Sequence, residues 1–345
     1  MPVNNIHKRT QAVSSSTLHR PRVTMLDVAQ RAGVSKASVS RFIGEDRALL
    51  SDSIAQRIEH AIDALGYRPN QMARGLKRGR TRLIGMLMAD IRNPYSIAVM
   101  HGVETACRRH GYSLVVCNTD RDPQQEQQQL AALRSYNIEG LIVNTLGHHV
   151  DELRELQTEV PMVLVDRKVN QLGSDLVGLD NAQAVALAVA HLLERGYRDL
   201  AMVSEAQDGT SSRQERVASF QQHGPWPVLE ASGDLENQLR DFLAAPGPGP
   251  KALFCGNGIA ALACTQALQA ICGRFPDDIG LLALDDLDWY PLVGQGITAL
   301  AQPTHEIGVR AFDCLLERLH GSQAQAQTHD FAAQLIVRGS TRQRD

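Results

Sequence analysis

Nothing in the chain approaches the roughly 18 to 20 consecutive apolar residues that a bilayer-spanning helix needs. Its first 22 residues are basic and polar, without the apolar centre of a secretory signal. An integral membrane protein is excluded, and the cytoplasm is the expected location. Aromatic residues make up only 4% of the chain, so its cores must be built from aliphatic side chains. Six cysteines (Cys107, Cys117, Cys255, Cys264, Cys272 and Cys314) are scattered without a CxxC pair. That favours reduced core thiols over a disulfide framework or a metal site. There is no GxSxG, no Walker loop and no HExxH, so the sequence gives no support for catalysis. The pair His148-His149 has no partner at a familiar ligand spacing and reads as a solvent loop ahead of a helix at Val150. No metal and no cofactor are expected.

What the chain does hold is charge, unevenly spread. Its 345 residues allow two or three domains and carry a formal net charge of -3. Residues 1–82 hold 15 Lys+Arg against 6 Asp+Glu, a net of +9, while the remainder holds 20 against 32, a net of -12. A basic module is thus joined to an acidic body. A basic domain attracts polyanions and releases their counterions on binding, whereas an acidic body is repelled by phosphates. The contrast points to nucleic acid as a partner.

Residues 1–22 show no hydrophobic periodicity and read as a disordered basic arm. Thr24 and Asp27 then form a capping-box pattern ahead of a first helix whose inward positions are Val28, Ala29 and Ala32. Gly33 suits a tight turn, and Ser35 is placed to cap a second helix, Lys36 to Ile43. Helix, glycine turn and helix make a helix-turn-helix pattern. In the second helix Val39 faces inward, while Lys36, Ala37, Ser40 and Arg41 face out. Arg and Lys pair with guanine O6 and N7, and small residues permit close approach to the major groove. A third helix, Asp52 to Leu65, carries the stripe Ile54, Ile58, Ala61, Ile62 and Leu65, and Gly66 stops it.

The following segment opens with Pro69-Asn70, contains Gly75 and ends in basic residues. It is too short for an autonomous helix, which needs about 12 to 15 residues, and reads as helical only on contact. The stretches VTMLDVAQRAGVSKASVSRFIG and GYRPNQMARGLKRGRTRLIGML resemble the headpiece and hinge of the LacI/GalR family of bacterial transcription regulators. The resemblance implies that Lys36, Ala37 and Arg41 read bases, and that Thr24, Ser35, Ser51 and Asn70 hold phosphates. It also implies that Ala73 and Leu76 enter the minor groove, with Leu76 wedging a base step. Gly75 departs from the small polar residue often found at its position, which weakens the hinge helix away from DNA.

The acidic body alternates apolar strands with helices. Leu83–Met88, Ser113–Cys117, Leu141–Asn144, Met162–Val165, Leu176–Gly178, Leu200–Val203, Ala252–Cys255 and Ile279–Leu284 read as strands buried on both faces of parallel sheets. So many strands in about 260 residues predict two lobes. Asp180-Asn181 opens a helix after a strand end, and Ala299-Leu300-Ala301-Gln302-Pro303 reads as a return crossing between lobes. The expected fold is an α/β two-lobe core like the type I periplasmic binding proteins, which the family carries, with an N-terminal all-α helix-turn-helix domain. The expected divisions are an arm 1–22, a headpiece 23–68, a hinge 69–81, a first subdomain 82–179 plus 303–325, and a second subdomain 180–302 plus 326–345 with the effector cleft.

Ligands of such sheets bind at strand carboxyl ends, here facing each other across the cleft. Asn93, Asp166-Arg167, Asn257 and Asp285-Asp286 stand at strand ends, and Ser211–Arg216 adds Arg213 and Arg216. The family resemblance puts effector contact on Asp166, Arg216, Asn257 and Asp285; Arg167 and Arg213 are added from their position and charge. Carboxylates accept from vicinal hydroxyls, and guanidinium groups grip oxygen or a carboxylate. Two departures from the family matter: Gly258 and Ile259 stand where an acid is frequent, and Leu235 takes the place of an aromatic that stacks on sugar, with Trp226 on the preceding strand. Surplus arginine favours a carboxylated sugar. Within the family, MARGLKRGRTRLIGMLMADIRNPYS and SYNIEGLIVNTLGHH resemble regulators of 2-ketogluconate use, which implies that sugar acid as the effector.

The competing reading is an enzyme. Gly256-Asn257-Gly258-Ile259-Ala260-Ala261 matches GxGxxA between a strand and a helix, as a dinucleotide fingerprint requires. Its acidic partner, Asp285, comes 27 positions after Gly258, where about 20 is usual, which argues against a nucleotide cofactor. The expected protein is a homodimeric repressor of roughly palindromic operator DNA, released by a small sugar-acid effector. A regulator whose ligand tightens DNA binding would use the same parts. No heptad tail follows the last expected strand, which favours a dimer over a tetramer.

Overall fold

The computed structural model describes residues 23–44, 46–68, 80–207, 209–273 and 278–344. The chain divides into two compact units, one ending at Gly79 and the other beginning at Arg80.

The first unit is a three-helix module: α1 (Met25–Ala32), α2 (Lys36–Ile43) and α3 (Asp52–Leu65), with a 3-10 turn at Asp46–Leu49. Its core is Val28, Ala29, Ala32, Val39, Ile58, Ala61 and Tyr67, the stripes that helical periodicity places inward. Thr24 and Asp27 form the capping box of α1: the Thr24 amide donates to Asp27 Oδ2 at 2.7 Å. Gly33 ends α1 at φ 62°, a left-handed cap that glycine adopts without cost. Arg57 on α3 locks this turn, donating to the Ala32 carbonyl from Nε at 2.9 Å and to the Gly33 carbonyl from Nη2 at 2.7 Å.

The second unit holds two six-stranded sheets. In chain order the first comprises β1 (Leu83–Met88), α4 (Pro94–Arg109), β2 (Ser113–Asn118), α5 (Pro123–Ser135), β3 (Gly140–Asn144), α6 (Val150–Glu159), β4 (Met162–Val165) and β5 (Asp175–Leu179). The second follows with α7 (Asn181–Glu194), β6 (Asp199–Ser204), α8 (Ser211–His223), β7 (Val228–Glu230), α9 (Leu235–Ala244), β8 (Lys251–Cys255), α10 (Gly258–Cys272), β9 (Gly280–Leu284) and β10 (Thr298–Ala301). The chain then returns to the first lobe as α11 (Thr304–Leu319) and β11 (Thr328–Phe331), and ends in the second with β12 (Gln334–Ile336). Strand order is β11-β5-β4-β3-β1-β2 in one sheet and β12-β10-β9-β8-β6-β7 in the other. Apart from the end strands β11 and β12 the two orders repeat each other, and every pairing is parallel except β10 with β12.

The apolar runs are explained by burial on both faces. In β1, Ile84, Met86 and Met88 enter the core under α4 and α11, whereas Leu87 enters the core on the opposite face. Helices α4 and α11 approach closely because glycines meet at their crossing; a Cβ on Gly102 would run into the His305 carbonyl, and one on Gly308 into that of Val99.

Two expectations need correction. Residues 326–345 do not belong wholly to the second lobe, because β11 pairs with β5, Thr328 opposite Leu176, and closes the edge of the first sheet. The last crossing therefore falls between Phe331 and Gln334. Trp226 lies before β7 rather than on a strand, and packs its ring 5.7 Å from that of Phe220. Among the described residues no helix is long and apolar enough to cross a membrane.

Candidate functional site

In the headpiece, Lys36, Ala37 and Arg41 are exposed on α2 and Ser40 is half-buried, while Val39 faces the core. Positions 36, 37, 40 and 41 share one side of a 3.6-residue helix. Ser35 caps α2, accepting from the Ser38 amide at 3.1 Å. The Thr24 hydroxyl donates to Asp27 Oδ2 at 2.8 Å, and Thr24 holds the Asp27 carboxyl below its ordinary pKa. Ser51, exposed ahead of α3, makes no capping bond with its side chain. Asn70, Ala73 and Leu76, with Gly75, lie outside the described residues.

In the two-lobe unit the structure brings Asn93, Asp166, Arg167, Arg213, Arg216, Asn257 and Asp285 to the lining of one narrow cleft, closed down to a cavity of about 20 Å³. Each stands beside a strand's carboxyl end or the helix that follows. Asn93 caps α4, accepting from the Tyr95 amide at 3.1 Å, and Asn257 caps α10, accepting from the Ala260 amide at 2.8 Å. Asp166 after β4 and Asp285 after β9 occupy the same position in the two lobes and share a left-handed backbone, φ 66° and 71°. Such a conformation costs of order 1 to 3 kcal/mol outside glycine and is typical of functional sites.

Arg216 spans the lobes. Its Nε donates to Asn181 Oδ1 at 2.7 Å, Nη1 to the Gly256 carbonyl at 3.1 Å, and Nη2 faces Asp166 Oδ1 at 3.5 Å. Asp285 accepts from the Gly258 amide at 2.9 Å and from Gln302 Nε2 at 2.6 Å. Its burial raises the carboxyl pKa, against the pull of Gly258, Arg216 and Gln302. Asp286 turns away, to a paired contact with Arg338 at 2.7 and 3.0 Å. Neither Arg167 nor Arg213 is a surface ion pair. Arg213 Nη2 meets Glu205 Oε2 at 2.7 Å and Nη1 the Ala206 carbonyl at 2.7 Å. Arg167 Nε faces Asp166 Oδ2 at 3.4 Å outside hydrogen-bond geometry. Burial lowers the pKa of both, and for both the neighbouring Arg121 adds to the effect.

The sequence did not disclose Tyr95, Thr210, Ser212 or Gln302 as cleft residues. Ser212 and Gln302 stood within segments that drew attention as a helix start and a crossing, and Tyr95 follows Asn93 by two positions. Glu205 and Arg121 carried no signal, yet Glu205 joins Arg121 Nη1 (2.9 Å), Arg213 and Asn257 Nδ2 (2.6 Å). Leu235, read as replacing a stacking aromatic, packs instead in the second lobe's core. Gly258 has a packing role: a Cβ there would lie 2.6 Å from Leu287 Cδ1.

The GxGxxA segment does lead from β8 into the first turn of α10, but its Gly258 amide is taken by a buried carboxylate, where a pyrophosphate would meet like charge. His149 is held by the Pro123 carbonyl, 2.7 Å from Nε2, and caps no metal-like cluster among the described residues.

Comparison with known proteins shows the family to which this fold belongs. Residues 24–70 match the family model of bacterial regulatory proteins of the lacI family, and residues 81–336 match periplasmic binding proteins and sugar binding domain of LacI family. The HTH-type transcriptional regulator PtxS of Pseudomonas aeruginosa is 65% identical over 331 residues, covering 94% of this chain and 97% of its own. The regulator KdgR of Bacillus subtilis is 37% identical over 331 residues, covering 92% and 97%. Among solved structures, a lac repressor dimer bound to operator and the anti-inducer ONPF shares the fold with a TM-score of 0.79, at 21% identity, over 93% of this chain and 99% of that one. The chain belongs to the LacI family of bacterial regulatory proteins. It is a DNA-binding transcriptional regulator with a helix-turn-helix headpiece and a two-lobe sugar-binding type body, and its relatives are regulators, not enzymes.

Proposed function

We propose that the chain is a cytoplasmic, homodimeric repressor of sugar-acid metabolism genes, released from its operator by 2-ketogluconate. The observation that carries the effector reading is the polar cleft, lined by three arginines and two acids from both lobes, Arg167, Arg213, Arg216, Asp166 and Asp285, with the Arg121–Glu205 pair joined to it through Arg213. A hexose needs acceptors for its hydroxyls, and a sugar acid needs in addition a guanidinium for its carboxylate. Likeness to PtxS and KdgR supports the same class of regulator.

On the DNA side, Lys36, Ala37, Ser40 and Arg41 read bases, and Thr24, Ser35, Ser51 and Asn70 hold phosphates. Ala73 and Leu76 of the 69–81 hinge serve the minor groove. Exposure of Lys36, Ala37 and Arg41 on one helix side supports the first assignment, and the free-standing Ser51 side chain the second. Two-fold symmetry of a dimer then calls for a roughly palindromic operator. The lac repressor relative of similar fold is a dimer on its operator. Effector bound between the lobes changes the angle between them, and a coupling of about 1 to 3 kcal/mol weakens operator binding 5- to 150-fold.

The test is calorimetric titration of the full chain with 2-ketogluconate beside gluconate, glucose, ribose and guanine, followed by an operator shift assay. Saturable binding of the keto acid with loss of the DNA complex is the expected result. Identical operator affinity across the panel would reject the effector reading, and a tightened complex would identify a co-repressor.

A further inference from the structure

We propose that the effector's carboxylate is held at the N-terminus of α8 by Arg167 with the hydroxyl of Thr210, while Asp285 and Gln302 take the sugar hydroxyls. This deepens the sugar-acid reading and rests on it: Arg167, not the lobe-spanning Arg216, selects acid over neutral sugar.

The argument is one of unspent donors. Among the three buried arginines of the cleft, Arg216 and Arg213 are committed, the first to Asn181, Gly256 and Asp166, the second to Glu205 and Ala206. Arg167 is only 7% exposed and shares the Asp166 carboxylate with Arg216, its Nε 3.4 Å from Oδ2, yet neither its Nε nor its Nη1 makes a hydrogen bond. A buried guanidinium left in that state costs free energy that a bound anion recovers.

Its surroundings are of the same kind. Thr210, 1% exposed and the N-cap residue of α8, makes no capping bond, and its Oγ1 is unpartnered. In contrast Asn93, Asp122, Asp180 and Asn257 each cap the helix they precede. The Lys168 amide donates to Ser211 Oγ at 2.8 Å, and Ser212 Oγ to Asp166 Oδ2 at 3.3 Å, so the start of α8 is held against the Asp166–Lys168 turn. The positive end of a 13-residue helix therefore joins a guanidinium and a hydroxyl, and Tyr95 Oη, also buried without a partner, lines the same cleft. Elsewhere in the lining the unpartnered atom is an acceptor, Gln302 Oε1, on the side chain that donates to the Asp285 carboxylate. Unspent donors beside the start of α8 and acceptors at Asp285 and Gln302 suit a molecule with a carboxylate at one terminus and hydroxyls along its length.

D-fructose is the matched probe, because it carries a hydroxymethyl group where 2-ketogluconate has its carboxylate. In titrations of the full chain, Arg167→Gln is expected to lose on the order of 100-fold in affinity for 2-ketogluconate and to lose the preference over fructose. Thr210→Val is expected to weaken the acid about tenfold while leaving the unliganded protein as heat-stable or more so, because a buried orphan hydroxyl is replaced by a methyl. The same protein then reports folding and binding separately. Undiminished binding of the acid by both variants, in a wild type that binds it, would overturn this orientation and leave the sugar-acid reading standing. A wild-type chain silent to 2-ketogluconate and gluconate would overturn both.

Discussion

Arg121 of the first lobe reaches across to Glu205 of the second, its Nη1 2.9 Å from Oε1, while the other Glu205 oxygen gathers Arg213 and Asn257. Burial alone would raise the Glu205 pKa, but Arg213, Asn257 and Arg121 together hold it below its ordinary value. Removing the carboxylate by Glu205→Ala leaves Arg213 buried without its counter-ion and should cost about 3 to 5 kcal/mol. Arg121→Ala removes a partner about a third exposed, and should cost on the order of 1 kcal/mol or less. Thermal unfolding of the full-length variants checks the order; equal losses would deny Glu205 its place as the hub.

Arg41 and Arg57 should separate recognition from folding. Arg41 is exposed on α2 with no core contact, so Arg41→Ala is expected to abolish specific operator binding at unchanged stability. Arg57 bonds the carbonyls of the turn between α1 and α2, and its loss should cost the headpiece roughly 1.5 to 3 kcal/mol. Shift assays paired with unfolding curves distinguish the two.

Arg216→Ala is expected to lose the ligand response while operator binding survives. Because it leaves Asn181, the Gly256 carbonyl and Asp166 without their donor, a stability loss of several kcal/mol should accompany it. An Arg216→Ala protein still released by ligand would remove this residue from the response.

His191 predicts a pH effect. Its Nε2 lies 2.8 Å from Thr341 Oγ1, which in turn lies 2.7 Å from Thr298 Oγ1, and burial lowers its pKa from the ordinary 6.5. The unfolded chain therefore binds the proton first, so stability is full above pH 6.5 and falls as pH drops below it. A melting series at falling pH, steeper for wild type than for His191→Gln, checks the sign.

Much of this was readable in the residues. The three headpiece helices follow from caps and apolar spacing, with Gly33 and Gly66 as stops, and the strands from short β-branched and Leu-rich runs. Strand-end position picked out most of the polar cleft residues because the carboxyl ends of a parallel α/β sheet open on the crevice, but it also picked Asp286, which turns away to Arg338. Glu205 and Arg121 escaped because an ion pair linking residues 84 positions apart leaves no local pattern. Tyr95 escaped because a lone aromatic at a helix start has no pattern that marks it as a cleft residue. The strand β11 was misplaced since its sequence, THDF, has polar alternation and no apolar run to declare its sheet. Leu235 was misread because a motif position was taken for a place in space.

The three crossings between lobes carry a consequence for how the protein is made. The first sheet receives its edge strand β11 and its covering helix α11 only from residues 304–331, after all of the second lobe except β12 and the residues beyond it has been synthesised. The headpiece, in contrast, is complete by residue 68 and has its own core. Synthesis from the N-terminus thus delivers a DNA reader long before the part that governs it can close. A chain cut short ahead of α11 would keep the reader and leave β3, β4 and β5 of the first sheet uncovered on one face, with α4 still over β1 and β2, so truncation would disarm regulation before recognition.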